Sequence, residues 1–550
     1  MHKKHVASVN QVLLWLVLGL TGLFFLTILW VNWNAGSWYN FDVYADAKVA
    51  QYMFEQRSLF PEHWMFGNQF YTVATPVLSA LLYGIFRDPF LSLSIASSVM
   101  TVLVLLSLVW CIGPYVGRRS LAVSVLCIIG GAFFGTHAGF DPEGMQLYYT
   151  MASFYACYFI GIFVTMGIWL RLAFGKKVPI ILSALCFILN FALGMQSLRE
   201  MLVLNLPLFA LCLFLMIVGR WIPSAKSVSG NRAPNIYAAL MLAANGMGCI
   251  FIRILQNTLP IHSYSIVTEA GSNLLANLRI SLASFLRYSG LLTYEFNAYN
   301  IFKLVSGLYF TAVVLYALFR IVRERMVTPL SCMILLCTIS MFAVFFAGVL
   351  VITIRSIYYF VWYILVALSF AFVTEYHHKD HSTISILLIS LLLIGSINWV
   401  SHFGENIRTR SKYEAFHAEI ANTLQEDGIT TVYHDIWASF LSSRIIASTH
   451  SPIDFAGIEL NTKEEDLTDL LTYIKYLHSS TWFAPEQLPH SYLMLTQAQL
   501  DFLDSDFSPE YRDALLSHLT LARHFAFEDE AYFFYSLDQQ LFYDLIDYPQ

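Results

Sequence analysis

The sequence predicts a polytopic α-helical membrane protein with a small C-terminal α/β domain, and three observations carry that prediction. Of 550 residues, 57% are hydrophobic and only 12% charged, a composition that excludes a water-soluble globule. Apolar runs of roughly 20 residues, the length needed to cross a hydrocarbon core, recur through the first part of the chain. Positions 401–550, by contrast, hold 24 Asp plus Glu against 8 Lys plus Arg, a formal −16 that leaves +10 for the first 400 residues. Such an acidic tail is a poor partner for nucleic acid.

The first run, "VLLWLVLGLTGLFFLTILWV" at 12–31, is too long for a signal-peptide core and lacks an A-x-A-like cleavage pattern. It reads as an uncleaved span, with Lys3 and Lys4 holding the amino end in the cytoplasm. Further candidate spans are 71–87, 91–112, 120–135, 148–170, 178–195, 201–219, 235–255, 302–320, 330–352, 357–374 and 383–400. Basic clusters at Arg118–Arg119, at Arg171, Lys176 and Lys177, at Arg220, Lys226 and Arg232, and at Arg320, Arg323 and Arg325 mark cytoplasmic ends. The loops at 136–147, 196–200, 256–301 and 353–356 then fall outside, with everything after 400. Parity requires that 71–87 and 91–112 not both cross fully, which gives about 11 spans, or about 12 to 13 if weaker segments also cross. All eight cysteines lie in or beside apolar runs without metal-site spacing and read as small buried side chains.

Residues 1–400 are thus expected to form the transmembrane domain, with an external loop at 33–70 carrying surface helices, and 401–550 a C-terminal extracytoplasmic domain. In the loop, Val43, Ala47, Ala50 and Phe54 recur at helical spacing, so "DVYADAKVAQYMFEQ" reads as a helix lying on the membrane surface. Residues 273–292 read as a second surface or re-entrant helix. In the tail, "GITTVYHDI" (428–436) reads as a strand, "KEEDLTDLLTYIKYL" (463–477) as an amphipathic helix, and "SYLMLTQAQLDFLD" as a strand leading into a helix.

This topology collects polar groups on one side: Asp42 and Asp46; His137, Asp141 and Glu143; Arg199 and Glu200; Arg253 and His262; Arg355, Tyr358 and Tyr359. Charges near membrane depth are costly and usually line a cavity or pair with one another. Asp42 and Asp46 share one helical face, suited to a general base or to ligation of a divalent cation, the plainer alternatives being acids that merely meet solvent and Asp42 as a helix cap. Arg199 and Arg355, on the side that disfavours basic residues, either anchor to lipid headgroups, pair with an acid such as Glu200, or grasp a phosphate. Tyr358 and Tyr359, with neighbouring Trp362 and Tyr363, fit an interfacial belt or a platform for sugar rings. No Walker motif, H-E-x-x-H sequence or nucleophile elbow occurs, which argues against an ATP-driven pump or a soluble-type hydrolase.

Over roughly residues 10–400 the chain resembles the multi-spanning glycosyltransferases of the GT-C type, which take sugars from polyprenyl-phosphate donors. The resemblance rests on an aspartate in the first external loop, then A-x-x-A-x-x-M at Ala47, Ala50 and Met53, and FP-x-x-W at Phe60, Pro61 and Trp64. "QSLREMLVLNLPL" is similar to an arginine-containing segment of bacterial members. The resemblance implies that Asp42 is the general base and that Arg199 and Arg355 bind the donor phosphate, with His137, Asp141, Glu143, Glu200, Tyr358 and Tyr359 in support. Many relatives carry a second acid directly after the aspartate; here that position is Val43, so either Asp46 substitutes or the metal-dependent version of the mechanism is absent. The activated lipid phosphate makes an ATP site unnecessary, no cofactor is certain, and a divalent cation at Asp42 and Asp46 stays open. The implied partners are a polyprenyl-phosphate sugar, a glycan, lipid or protein acceptor, and membrane lipid, in a bacterial cytoplasmic membrane with inversion at the anomeric carbon. Two competing readings are a transporter or flippase for a lipid-linked saccharide and a non-catalytic membrane scaffold.

Overall fold

The structure is a computed structural model that describes residues 2–34, 41–67, 69–134, 152–263, 274–293, 297–350, 356–435, 441–460, 470–473, 477–527, 530–539 and 541. The membrane-type part comprises α1 (His2–Trp33), α2 (Phe41–Glu55), β1 (Trp64–Phe66), α3 (Thr75–Phe86), α4 (Pro89–Ile112), α5 (Arg118–Phe134), α6 (Ala152–Ala173), α7 (Ile180–Gln196), α8 (Leu206–Val218), α9 (Pro223–Ser229), α10 (Arg232–Thr258), β2 (His262–Ser263), α11 (Leu274–Tyr288), α12 (Ala298–Glu324), α13 (Pro329–Leu350) and α14 (Val361–Tyr376). α15 (His381–Glu426) leads without a break into β3 (Thr431–Asp435), α16 (Leu441–Thr449), β4 (Asp454–Leu460), β5 (Leu471–Tyr473), β6 (His478–Ser479), β7 (Ser491–Thr496), α17 (Gln497–Asp506), α18 (Pro509–Ser517), β8 (Leu519–Phe527) and β9 (Glu530–Leu537).

Among the described residues nine helices are long and apolar enough to cross a membrane, and Thr75–Phe86 and Ile180–Gln196 are shorter apolar helices. α3 has 12 residues, a length of about 18 Å that falls short of the hydrocarbon core. Arg87 in the left-handed region ends it, and Asp88 at once caps α4 by accepting from the Phe90 and Leu91 N–H groups at 2.9 and 3.0 Å. α7 and α10 press together at Gly194 and Gly248, where a Cβ would strike the carbonyls of Asn245 and Phe191. The opposite face of α7 presents Ile180, Ile181, Leu185 and Ile188 outward, as lipid solvation favours. α8 is entered through a π-helical turn, Met201–Asn205. Pro207 has no N–H to return to the Val203 carbonyl, which accepts instead from the Ser340 hydroxyl of α13 at 2.5 Å.

The C-terminal sheet has the order β5-β4-β3-β7-β9-β8. β3 runs parallel to β4 and β7, while β5, β9 and β8 extend the edges antiparallel. Its buried side chains, among them Tyr433, Phe455, Leu493 and Phe534, form an ordinary α/β core. The strand expected within 428–436 and the strand-to-helix passage at β7 and α17 are present. The helix expected over 463–477 fails at Leu471–Tyr473, which pair antiparallel with Ile458–Leu460; buried Leu470 and Leu471 follow the sheet instead of a helical face.

The helix expected on the membrane surface is real but is not laid on a surface. α2 buries ten of its 15 residues, including Tyr44, Asp46 and Lys48, between the helical bundle and the C-terminal sheet. A second, three-stranded sheet fastens the same region: β1 pairs parallel with β2 and antiparallel with β6.

Candidate functional site

Two of the sequence-predicted acids stand at the start of α2. Asp42 lies in its first turn and is half-buried, whereas Asp46, one turn on, is fully buried. Asp46 lies close to the Tyr71 phenol, and its carboxylate acts on that group electrostatically. Burial first, and then the Asp46 carboxylate, hold the Tyr71 phenol well above its ordinary range, with Asp42 and Tyr158 adding to the same effect. Tyr71 therefore stays protonated beside the acids.

The segment around Tyr71 is stitched to the end of α7. The Thr72 hydroxyl donates to the Ala192 carbonyl at 2.7 Å, and the Phe70 N–H to the Gln196 carbonyl at 3.0 Å. Tyr158 of α6 ties the corner together: its hydroxyl lies 2.7 Å from Ser197 Oγ, accepts from Gln196 Nε2 at 3.2 Å and reaches Gln69 Oε1 at 3.4 Å. Arg199 completes the group. Its guanidinium sits among three phenol rings, 5.0 Å from the centroid of Tyr155, 5.3 Å from Tyr158 and 4.9 Å from Tyr358. Its contact with a protein acceptor, Gln69 Oε1, is long at 3.4 Å. A planar fork of five donors is thereby clamped by aromatic faces, and among the described residues it has a single, long hydrogen bond to a protein acceptor.

Arg199 and its neighbour Glu200 do not pair. Glu200 is fully buried on the other side of the chain, against Gly161 and Leu193, at a place where a Cβ on Gly161 would strike its carboxylate. The alternation of successive side chains at the entrance to the π-helical turn separates the two, so a support role for Glu200 through an ion pair with Arg199 has no geometric basis. Tyr358 is half-buried against Arg199, and Tyr359 belongs to the interior, its hydroxyl 2.5 Å from Ser281 Oγ of α11. His137, Asp141, Glu143 and Arg355 fall outside the described residues. Arg253 stays on the exposed side of α10 and bonds Gln256 at 3.2 Å, and His262 joins β2.

The residues that sequence reasoning missed are the connectors: Gln69, Tyr71, Tyr155 and Tyr158. Tyr155 and Tyr158 stand three apart at the start of an apolar run, and that shared helical face is the one signal the sequence offered for them. Among the described residues no group of three or more His, Cys, Asp or Glu side chains gathers as a metal site. A divalent cation at Asp42 and Asp46 would draw its described protein ligands from those two carboxylates. Chemically, the corner offers a carboxylate face able to take a proton, with Tyr71 beside it, and a guanidinium able to hold an anion, with Tyr158 against it.

No protein-family model matches the chain, and no curated protein matches it. The chain is similar to a solved structure described as ArnT from Cupriavidus metallidurans bound to undecaprenyl phosphate, with 10% identity, coverage of 94% of this chain and 98% of that one, and a TM-score of 0.47. It is likewise similar to the apo state of the same ArnT, with 10% identity, coverage of 96% and 99%, and a TM-score of 0.40.

Proposed function

We propose that this chain transfers a sugar from a polyprenyl-phosphate donor to a glycan, lipid or protein of the cell envelope, on the extracytoplasmic face of a bacterial cytoplasmic membrane. The observation that carries the reading is Arg199: a guanidinium held by three tyrosines and one long bond to Gln69, in the same corner as the Asp42 and Asp46 face of α2. In this reading Asp42 takes the proton of the acceptor hydroxyl as its oxygen attacks the anomeric carbon. The bond from that carbon to the phosphate oxygen breaks, and the polyprenyl phosphate departs with one more negative charge. Arg199, aided by Arg355, receives that charge, a role in which preformed donors act most strongly as the charge grows. The lipid phosphate is already activated, so no nucleotide is consumed, and a single displacement inverts the anomeric carbon. Asp46, close to Tyr71, supports Asp42 or shares a divalent cation with it.

The test is a proteoliposome assay with a panel of undecaprenyl-phosphate sugars and envelope acceptors, comparing the intact chain with Asp42→Asn and Arg199→Ala. Transfer by the intact chain, lost in Asp42→Asn and weakened in donor binding in Arg199→Ala, supports the reading; transfer that survives Asp42→Asn removes Asp42 as base. One observation favours a second reading, a transporter for lipid-linked saccharide: the π-helical turn before Pro207 buries Asn205 without a hydrogen-bond partner in a membrane helix. Movement of an unmodified lipid-linked sugar without transfer would select it.

A further inference from the structure

α2 has two working faces. Asp42 and Asp46 lie one turn apart on the face toward Tyr71, while Tyr44, Lys48 and Tyr52 lie one turn apart on a stripe about 200° away. Each residue of that second stripe meets the C-terminal domain. The Tyr44 hydroxyl accepts the Phe455 N–H at 2.8 Å, Lys48 Nζ lies 2.7 Å from Asp454 Oδ1, and Tyr52 accepts the Trp482 indole N–H at 3.2 Å. The Lys48 side chain is only 6% exposed and that of Asp454 27%, so the ion pair is largely shielded from water. Lys48 also sits near the rings of Tyr44 and Phe90, at 5.8 and 5.9 Å. Two further ties flank it: β1 pairs with β6 beyond the end of α2, and His450 meets Asp88 at 2.5 Å.

We propose that the C-terminal domain is a positioning element for the acid face of α2, and that Lys48 and Asp454 are the residues through which it sets the rotation and depth of that helix. The inference rests on the functional reading above. An apolar contact tolerates rotation of a helix, because burial is non-directional. A buried ion pair with a hydrogen-bonded tyrosine one turn away does not: turning α2 by one residue would carry Lys48 away from Asp454 and leave a charge without its partner. The same turn would carry Asp42 and Asp46 away from Tyr71. The domain therefore fixes where a proton-accepting carboxylate stands without touching the reacting atoms.

The test uses the full chain in proteoliposomes with Asp454→Asn, Asp454→Glu, Lys48→Met and the Lys48→Met/Asp454→Asn double variant. Asparagine keeps the shape of the aspartate and removes its charge, whereas glutamate keeps the charge. Asp454→Asn is expected to lower turnover on the order of 100-fold, the effect of a misplacement of about 1 Å, with KM for the undecaprenyl-phosphate sugar unchanged. Asp454→Glu recovers most of the turnover, and the double variant loses no more than the worse single one. Turnover retained in Asp454→Asn while Asp42→Asn is inactive would overturn the positioning role and leave the functional reading standing; full transfer by Asp42→Asn would overturn that reading instead. Amide exchange across Tyr44–Tyr52 supplies an arm independent of any donor: faster exchange in Asp454→Asn than in Asp454→Glu supports the inference, and equal exchange in both overturns it.

Discussion

α2 and α11 are both 15-residue helices in loops between membrane helices, and they are buried in opposite senses. α2 hides both its faces, one against the corner that holds Tyr71 and one under the C-terminal sheet. α11 hides little, and what it buries is largely polar: Asn277 donates to the Val349 carbonyl at 3.1 Å and Ser281 meets Tyr359, while Leu274, Leu275, Leu278, Ile280 and Leu282 stand exposed. An inverted helix of that kind suits lipid on its apolar side and backbone partners on its polar side. The contrast teaches that periodicity identifies which residues share a face but not what covers it. Two helices of equal length and similar setting differ because one lies between two protein layers and the other packs on one side only, against α13, Tyr359 and the start of α14.

The sharpest break of this comparison is functional. Asp42→Asn on α2 is expected to lower sugar transfer by about 10²–10⁴-fold, the usual share of a general base. Asn277→Ala on α11 is expected to leave turnover unchanged. Equal losses from the two would erase the distinction between a working helix and a supporting one.

That distinction was half legible in the sequence. The apolar runs gave the membrane helices closely, since lipid rewards length and composition with little regard to what lies beside them. That Asp42 and Asp46 lie one turn apart on a single helix was legible because four-residue spacing is a local property. Lys48 was passed over, because its value comes from Asp454, more than 400 positions away, and nothing local to either residue announces the other. Tyr71 and Tyr158 were missed for the same reason. The 463–477 segment was misread where apolar residues at helical spacing met the edge of β4 and took strand geometry from it.

A second prediction concerns the layer above α2. Phe455 packs on Phe41 at 6.1 Å and on Tyr44 at 5.7 Å, and His434 of β3 lies behind it at 6.0 Å with Nε2 3.2 Å from Gln499 Oε1. Burial lowers the His434 imidazole from 6.5 to about 4, so the folded domain holds it neutral. Its contribution to stability is complete above the unfolded value of 6.5 and is lost as pH falls toward about 4, a total of about 3 kcal/mol. Amide exchange at pH 5 is expected to rise on β3, β4 and α2 and to stay level on α11. Replacement of His434 by Gln is expected to flatten that difference.

Smaller effects sharpen the same contrast. Ala50 has no exposed surface, and Ala50→Leu is expected to cost about 1–3 kcal/mol through overpacking, read as a fall in Tm. Leu278→Ala on the outward face of α11 is expected to stay within about 0.5 kcal/mol. Of similar size, Ser281→Ala removes the hydroxyl facing Tyr359 and is expected to cost about 0.6 kcal/mol, the average for a hydrogen bond between helices in a membrane.

α15 continues as one helix of 46 residues from its Asp380 cap to Glu426, just ahead of the first strand of the sheet. Such a rod is about 69 Å long, and it acts as a crankshaft between bundle and sheet. At the bundle end Asn10 holds Ser385 at 2.5 Å and Thr27 holds Trp399 at 2.8 Å; at the other end His417 meets Ser448 at 3.1 Å. Adding a single alanine between those anchor points would turn everything beyond it by about 100° and advance it by about 1.5 Å. Four added alanines would nearly restore the bearing, about 40° from the start, while lifting the sheet by about 6 Å. The length of one helix, counted in residues, is therefore a gear ratio, and one residue more or less is expected to uncouple the two halves.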